Sequence, residues 1–384
     1  MSTSYQYVSP ELRVFCGGEC LGALKRELVR SGCSRVVIVS GRTIGRSREM
    51  AELRDGLGAT CVGLSTSARE HSPASGVEEA ARYLEDIGAD GILAVGGGSA
   101  AVTARAASIL LGEKRPLAEL CTRRLADGRF ESPRLNAPKL PVFGLPTTPS
   151  TAFSKAGTAV HDADGQRLAL FDPKTRARAI FIHPDFLQTA PEDLVQSAAL
   201  NALSNTVEAL ESPQCDLFSE AFLMQALRLL RDGLDPKARN AASRERLVVA
   251  AILSGRGTEA VGTGLASVLA HAIGKRTHVA NGIVNGIVLP QTMRYNAPVT
   301  QVRSGAVLEA LAGLAGAPRD QSPSKLVETL LGRLPLPKTL REIGVGMGDL
   351  SDIADSAMSD WFITKNARPV KDKDTLMELL TAAW

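Results

Sequence analysis

Along the first half of the chain, short all-apolar runs alternate with helical stripes. Arg35-Val-Val-Ile-Val-Ser40 reads as a buried strand, with a helix following from about Ser47. Ala59-Thr-Cys-Val-Gly-Leu64 reads as a second strand, Ser75 through Asp86 as a helix, and Gly91-Ile-Leu-Ala-Val95 as a third strand. Leu140-Pro-Val-Phe-Gly-Leu145 and Arg178-Ala-Ile-Phe-Ile-His183 add two more. Continuous apolar strands separated by helices of about 10–15 residues imply βαβ units and a parallel sheet covered on both faces. The predicted class is α/β.

After Pro184 strand signals almost vanish, and apolar residues recur at helical spacing through Leu194–Leu210, Leu217–Leu234, Arg244–Leu253, Leu265–Ile273 and Leu326–Leu334. The second half is therefore predicted to be all-helical. The boundary falls near Asp185–Pro191, before a helix whose first turn carries Glu192 and Asp193, acids favoured at the positive end of the helix dipole. This gives two expected domains, 1–188 and 189–384. Arg123–Lys139 and Lys365–Asp374 read as loops, either solvated connectors or covers over an active site.

Composition narrows the function. In 384 residues the net charge is only +3 and aromatics make up 4%, which leaves neither an electrostatic footprint nor a stacking platform for nucleic acid. The start, MSTSYQYVSPELRV, lacks a basic segment followed by an apolar core, and no run approaches the roughly 18 apolar residues of a membrane span. A cytoplasmic protein with a small-molecule partner is the expectation. Cys16, Cys20, Cys33, Cys61, Cys121 and Cys215 show no paired or ligand-like spacing, so free thiols are expected.

The best chemical signal is Ile92-Leu-Ala-Val-Gly96-Gly97-Gly98-Ser99, a buried strand running through three glycines into a helix over Ala101–Leu111. Glycines at a strand-to-helix turn let the backbone approach a phosphate, and the helix amides favour its charge. A tight turn without a ligand also needs glycine, so both readings stay open on this feature alone.

Further stretches add to it: Leu145-Pro146-Thr147-Thr148-Pro149-Ser150-Thr151, then Asn201-Ala-Leu-Ser-Asn205-Thr-Val-Glu208, then Ser267-Val-Leu-Ala-His271 with Val279-Ala-Asn281-Gly282. In this order, with Asp90–Ser99 ahead of them, they resemble the two nucleotide loops, the D-A-L-x-H-x-x-E helix and the H-x-x-x-H and P-H-G segments of the iron-containing (group III) alcohol dehydrogenase family. His71-Ser-Pro73, and Val102 where an aspartate usually follows the glycine turn, are most similar to its maleylacetate reductase branch. The resemblance implies a dehydroquinate synthase-like architecture: an N-terminal α/β dinucleotide-binding domain with a parallel sheet, an all-α C-terminal domain, the active site in the cleft between them, and a homodimer.

Relatives that use Fe²⁺ or Zn²⁺ hold it with one aspartate and three histidines, which the resemblance places at Asn201, Asn205, Ser267 and Asn281. Amides and a hydroxyl offer neither anionic charge nor an imidazole nitrogen, so no metal is expected. Asn201 and Asn205, four apart, share one helix face, either as tolerated polar residues or as partners for a polar substrate. His278, three residues before Asn281, is a single histidine and makes no metal site. By resemblance His271 is not a ligand but moves protons near the nicotinamide, which makes it the expected general acid. Lys275, one turn on, is either solvated or a partner for an oxyanion. Ser154 and Lys155 follow the second nucleotide loop, where the lysine would meet a carboxylate or phosphate. His71 is expected to support the nucleotide site, and His161 and His183 read as structural or surface residues.

The second strand ends Val39-Ser40-Gly41-Arg42-Thr43. An acid there accepts from a ribose 2′-hydroxyl, whereas a neutral residue beside arginine suits a 2′-phosphate. Gly41, Arg42 and Arg46 therefore favour NADP(H) over NAD(H). Gly96, Gly97, Gly98 and Ser99 are expected at the pyrophosphate, and Thr147, Thr148 and Thr151 at the phosphates or the nicotinamide side. Two functions remain open: a metal-independent NAD(P)H-dependent reductase of a carbonyl or activated double bond in a small polar substrate, or a repurposed relative, cyclase, lyase or binding protein, without hydride transfer.

Overall fold

A computed structural model of the chain describes residues 7–125, 127, 130–238, 240–312 and 321–384. It divides into two compact units, Val8–Pro191 and Glu192–Trp384, the second also taking Tyr7, whose ring stacks on Phe218 with centroids 4.6 Å apart.

Six strands form the sheet of the first unit: β1 Arg13–Cys16, β2 Val36–Ser40, β3 Cys61–Ser65, β4 Gly91–Gly96, β5 Val142–Pro146 and β6 Ala177–Ile182. Their order is β1-β6-β5-β4-β2-β3, every pair parallel. β2, β4 and β5 are buried at every position, as strands covered on both faces must be, and this is why they read as unbroken apolar runs. Helices α1 Cys20–Arg30, α2 Arg48–Leu57, α3 Ala74–Ile87 and α4 Gly98–Glu113 belong to the same unit. Leu24, Leu28, Ile38, Met50, Leu93, Phe143, Phe181 and Phe186 share one core on one side of the sheet. Ser47 starts α2, its Oγ accepting from the Met50 amide at 3.2 Å.

The connections diverge at one place. From β2 the chain runs outward to the edge strand β3, and from β4 it proceeds the other way to β5. The carboxyl ends of β2 and β4 therefore flank the crevice where open parallel sheets take ligands.

Three elements of this unit lie outside the sequence expectation. β1 is short and largely exposed, so it has no apolar run to announce it, and α1 follows it unannounced. An antiparallel hairpin pairs Gly157–His161 with Arg167–Phe171. Its signal was turn chemistry: Asp162 Oδ1 accepts from the amides of Asp164 at 3.0 Å and Gln166 at 2.7 Å.

The Arg123–Lys139 stretch is exposed over much of its described length but is tied down at its ends; residues 126, 128 and 129 lie outside the described residues. Arg123–Arg124 pairs with Phe130–Glu131, and the fully buried Lys139 ammonium pairs with Glu113 at 2.7 Å and Asp172 at 3.2 Å. All six cysteines are free, and burial pushes the Cys20 and Cys215 thiols up to about 12.

The second unit is helical: α5 Glu192–Glu211, α6 Leu217–Gly233, α7 Ala241–Val261, α8 Leu265–Thr277, α9 Asn281–Leu311, α10 Pro323–Leu331, α11 Leu350–Met358 and α12 Lys373–Ala383. Asp216 caps α6, its Oδ1 accepting from Phe218 N at 2.8 Å and Ser219 N at 3.0 Å. Asn240 and Ser243 form a reciprocal capping box on α7. α9 was not foreseen, because it carries Pro290 and Pro298 in its interior and its many neighbours leave it no polar stripe to reveal the helical period. Gly282 in its first turn lies against α5, where a Cβ would overlap the Ser197 carbonyl. Among the described residues no helix is long and apolar enough to cross a membrane.

The Lys365–Asp374 stretch is likewise no simple connector. Asn366 is buried and exchanges amide hydrogen bonds with Asn296 at 2.8 and 3.2 Å, while the Arg368 guanidinium lies 4.4 Å from the centre of the Tyr295 ring.

Lys139→Ala removes the ammonium that two buried carboxylates share, leaving Asp172 with Lys174 and Glu113 with the Ala137 amide, and is expected to cost about 3 kcal/mol, read from urea unfolding at pH 7, with Lys114→Ala as an exposed control. Burial pushes Glu113 up, but the Lys139 ammonium and the Ala137 amide outweigh it and hold Glu113 below the ordinary carboxylate range. The contribution is therefore present at neutral pH and lost as pH falls through that lowered value. A Lys139→Ala chain as stable as the parent refutes this.

Candidate active site and nucleotide cradle

Loops from β2, β4 and β5 converge at the carboxyl end of the sheet. The Thr147 amide donates to the Gly96 carbonyl at 2.8 Å, and the Ala68 amide to Ser40 at 3.2 Å. Gly96 has φ +141°, a conformation that L side chains rarely adopt. α4 starts at Gly98, three residues earlier than expected, with Gly97 at its cap and no side chain capping it, so first-turn amides are left for an anion. A Cβ on Gly98 would stand 2.7 Å from Ser150 Oγ, and one on Gly97 3.1 Å from Thr148 Oγ1. Gly96, Gly97, Gly98 and Ser99 are thus brought against Thr147 and Thr148, with Thr151 opening the next turn.

Arg105 was missed by the sequence reading. Buried on α4, its Nη1 donates to the carbonyls of Ala152 and Lys155, tying the second loop to the helix of the first. Beside β2, Gly41 has an ordinary extended backbone, and a Cβ there would only touch the Ala68 carbonyl at 3.5 Å. Arg42 and Arg46 are exposed. This donor set fits the phosphates of a dinucleotide. The next loop is strained, His71 and Ser72 standing at φ 58° and 49°. His161 on the hairpin holds it, Nδ1 lying 2.5 Å from the His71 carbonyl. His183, nearly buried, caps the helix Pro184–Gln188.

In the helical unit, Glu208 from α5 lies at the start of α8. Its Oε1 accepts from Ala266 N at 2.6 Å and Ser267 N at 3.4 Å, and its Oε2 from Ser267 Oγ at 2.7 Å. A carboxylate thus caps another helix's amino end, where the dipole favours it. Ser267 Oγ also reaches Asn205 Oδ1 at 3.0 Å. Asn201 Oδ1 accepts from Asn285 Nδ2 at 3.0 Å, and Asn281 Oδ1 sits where a Cβ on Gly274 would lie 2.8 Å away. Burial pushes Glu208 up, opposed by these hydrogen bonds. Glu211, one turn on, has no such donors among the described residues, and burial together with the Glu208 charge pushes it up to about 8.

His271, one turn beyond Ser267 on α8, has its Nδ1 2.8 Å from Asp360 Oδ2. Spacing could not have found Asp360, which lies 89 residues away; the sequence shows it only as a cap before Trp361. Lys275 is not brought to this pair. It is exposed and lines an open groove with Thr277, Asp349, Asp352 and Ser356. His278 ends α8 in a left-handed conformation, φ 59°.

The profiles described as iron-containing alcohol dehydrogenase and as the Fe-containing alcohol dehydrogenase family C-terminal region match residues 10–184 and 196–384. The chain belongs to the iron-containing alcohol dehydrogenase family. It is 26% identical over 379 residues to a lactaldehyde reductase of Escherichia coli (strain K12), covering 96% of this chain and 97% of that one. It is 26% identical over 382 residues to maleylacetate reductase 1 of Cupriavidus pinatubonensis, covering 98% and 96%. A solved sulfoacetaldehyde reductase from Bifidobacterium kashiwanohense, in complex with NAD⁺, shares the fold at TM-score 0.85 and 17% identity, covering 100% of this chain and 99% of that one. The chain is an enzyme of the dehydrogenase and reductase kind.

The family's name implies iron, and the residues here do not fit it. The four positions matched to ligands carry two hydrogen-bonded amides, a hydroxyl already donating to a carboxylate and an amide lying against a glycine. Among the described residues no group of three or more His, Cys, Asp or Glu side chains could hold a metal ion. Amide and hydroxyl oxygens are poor ligands for Fe²⁺ or Zn²⁺.

Glu211 gives a pH signature. Its folded value near 8 lies above the ordinary 4.5, so its contribution is present below pH 4.5 and is lost as pH rises towards 8, by at most about 1.4 kcal/mol per pH unit. Glu211→Gln is expected to flatten the fall in stability between pH 5 and 8 in urea titrations. An unchanged slope would show that Glu211 ionises normally.

Proposed function

We propose that this chain is a metal-independent oxidoreductase that uses NADP(H) to reduce a carbonyl or activated double bond of a small polar substrate. One contrast carries the reading: the glycine turn keeps a geometry that fits phosphates, whereas the positions matched to metal ligands carry three amides and a hydroxyl, Asn205 bonded to Ser267 and Asn201 to Asn285. When bound, the dinucleotide supplies the hydride. His271 supplies the proton: with Nδ1–H directed to Asp360, Nε2 is the nitrogen that delivers a proton to the developing oxyanion. Asn201, Asn205 and Asn281 offer amides to a polar substrate.

Magnitudes favour an activated substrate. A metal contributes several kcal/mol of charge stabilisation, while one well-placed donor contributes about 2.7–4 kcal/mol. A 2-oxo acid, 2-hydroxyaldehyde or enone needs the smaller of these. The relatives named for lactaldehyde and maleylacetate support such a substrate.

Arg42 and Arg46 support NADP(H), since both are exposed and neither has a carboxylate partner among the described residues. Titration followed by nicotinamide fluorescence is expected to show NADPH bound about tenfold more tightly than NADH, the equivalent of ~1.4 kcal/mol. Gly41→Asp, which the local space admits, is expected to reverse the order. No saturable binding of either nucleotide would make the glycine turn a relic and favour a reaction without hydride transfer.

Turnover of NADPH on lactaldehyde or maleylacetate is expected to survive dialysis against EDTA, and His271→Ala to lower it by about 10²–10⁴ while leaving nucleotide affinity in place. Activity that vanishes with chelator and returns with iron would overturn metal independence.

A further inference from the structure

We infer that Asp360 is a positioning residue for the reaction, holding the His271 ring in one tautomer and one orientation; this rests on the proposed role of His271 as the acid. The two side chains are 20% and 12% exposed and 2.8 Å apart, mostly out of water, where a charge-assisted hydrogen bond is strong. A carboxylate at Nδ1 accepts a hydrogen bond from Nδ1–H, fixes that proton there and leaves Nε2 as the titrating nitrogen.

The carboxylate is itself held. Its other oxygen, Oδ1, accepts from the Phe362 amide at 2.9 Å, capping the turn Trp361–Lys365. The Phe362 ring lies 6.2 Å from the His271 ring, tilted by 37°, and limits its swing. At the far end of that turn, buried Asn366 accepts from the amide of Leu265 at 3.1 Å. Leu265 is the first residue of α8, the helix that carries His271. Asp360 and His271 therefore stand on two segments cross-braced at both ends, a frame that a chance surface ion pair does not have.

The test separates positioning from capping. Asp360→Asn keeps an oxygen for the Phe362 amide but can offer the ring an N–H in place of a carboxylate, so the cap survives and the tautomer changes. In long-range ¹H–¹⁵N correlation spectra of the full-length chain, with His271 assigned by His271→Gln, the neutral ring is expected to shift from Nδ1–H to Nε2–H. With lactaldehyde or maleylacetate and NADPH, kcat is expected to fall about 10–100-fold with KM and the thermal midpoint little changed, and Asp360→Glu is expected to recover part of kcat. Should Asp360→Asn fold poorly, Asp360→Ser, also a good cap, replaces it. A ring that keeps its Nδ1–H in the variant overturns the inference whatever the reaction. A tautomer that moves while kcat stands still overturns the assignment of His271 as the acid, and with it the link from Asp360 to turnover, while leaving nucleotide binding to its own titration.

Discussion

A buried carboxylate governs the helical unit. Glu208 is enclosed in apolar surroundings, and such a group persists only if donors surround it. The amino end of α8 provides them, two backbone amides and the Ser267 hydroxyl. That arrangement sets where α8 begins and places Ser267 and His271 on successive turns. The Ser267 hydroxyl lies 2.7 Å from Glu208 Oε2 and 3.0 Å from Asn205 Oδ1, so its single proton is shared between a carboxylate and an amide oxygen. Burial pushes both Glu208 and its neighbour Glu211 up, and only Glu208 has hydrogen bonds that oppose it.

The poor fit for a metal and the packing of the helices rest on the same geometry. Where ligands are matched, amide and hydroxyl groups of similar size pair across facing helices, Asn201 with Asn285 and Asn205 with Ser267. Neutral pairs of this kind need no ion to balance charge, so they hold the facing helices together by themselves. His271, further along α8, does not draw on these groups, since it is braced from Asp360.

Elements were legible wherever burial imposed a pattern on their own residues. β2, β4 and β5 are covered on both faces and read as apolar runs, and Ser47 announced α2. β1 lies at an edge with no such run, and α9 is contacted on so many sides, with two prolines inside, that its period disappears. The glycine turn and its threonines could be found because their chemistry is local to two short stretches. Asp360, Arg105 and Asn366 could not, because each acts across tens of residues on partners that only the fold brings near. The anchors of the two loops escaped for the same reason: Lys139 and Asn366 look like surface residues until Glu113, Asp172 and Asn296 surround them.

Arg105 joins the two loops that flank the glycine turn by clasping carbonyls of the second from the helix of the first. The amides and hydroxyls that would meet a phosphate consequently belong to one stiff body, not to two independent arms. Little backbone entropy remains to be lost when an anion arrives, so association at this end of the sheet would resemble insertion into a finished mould, and any discrimination between nucleotides would fall to the exposed margin around Arg42.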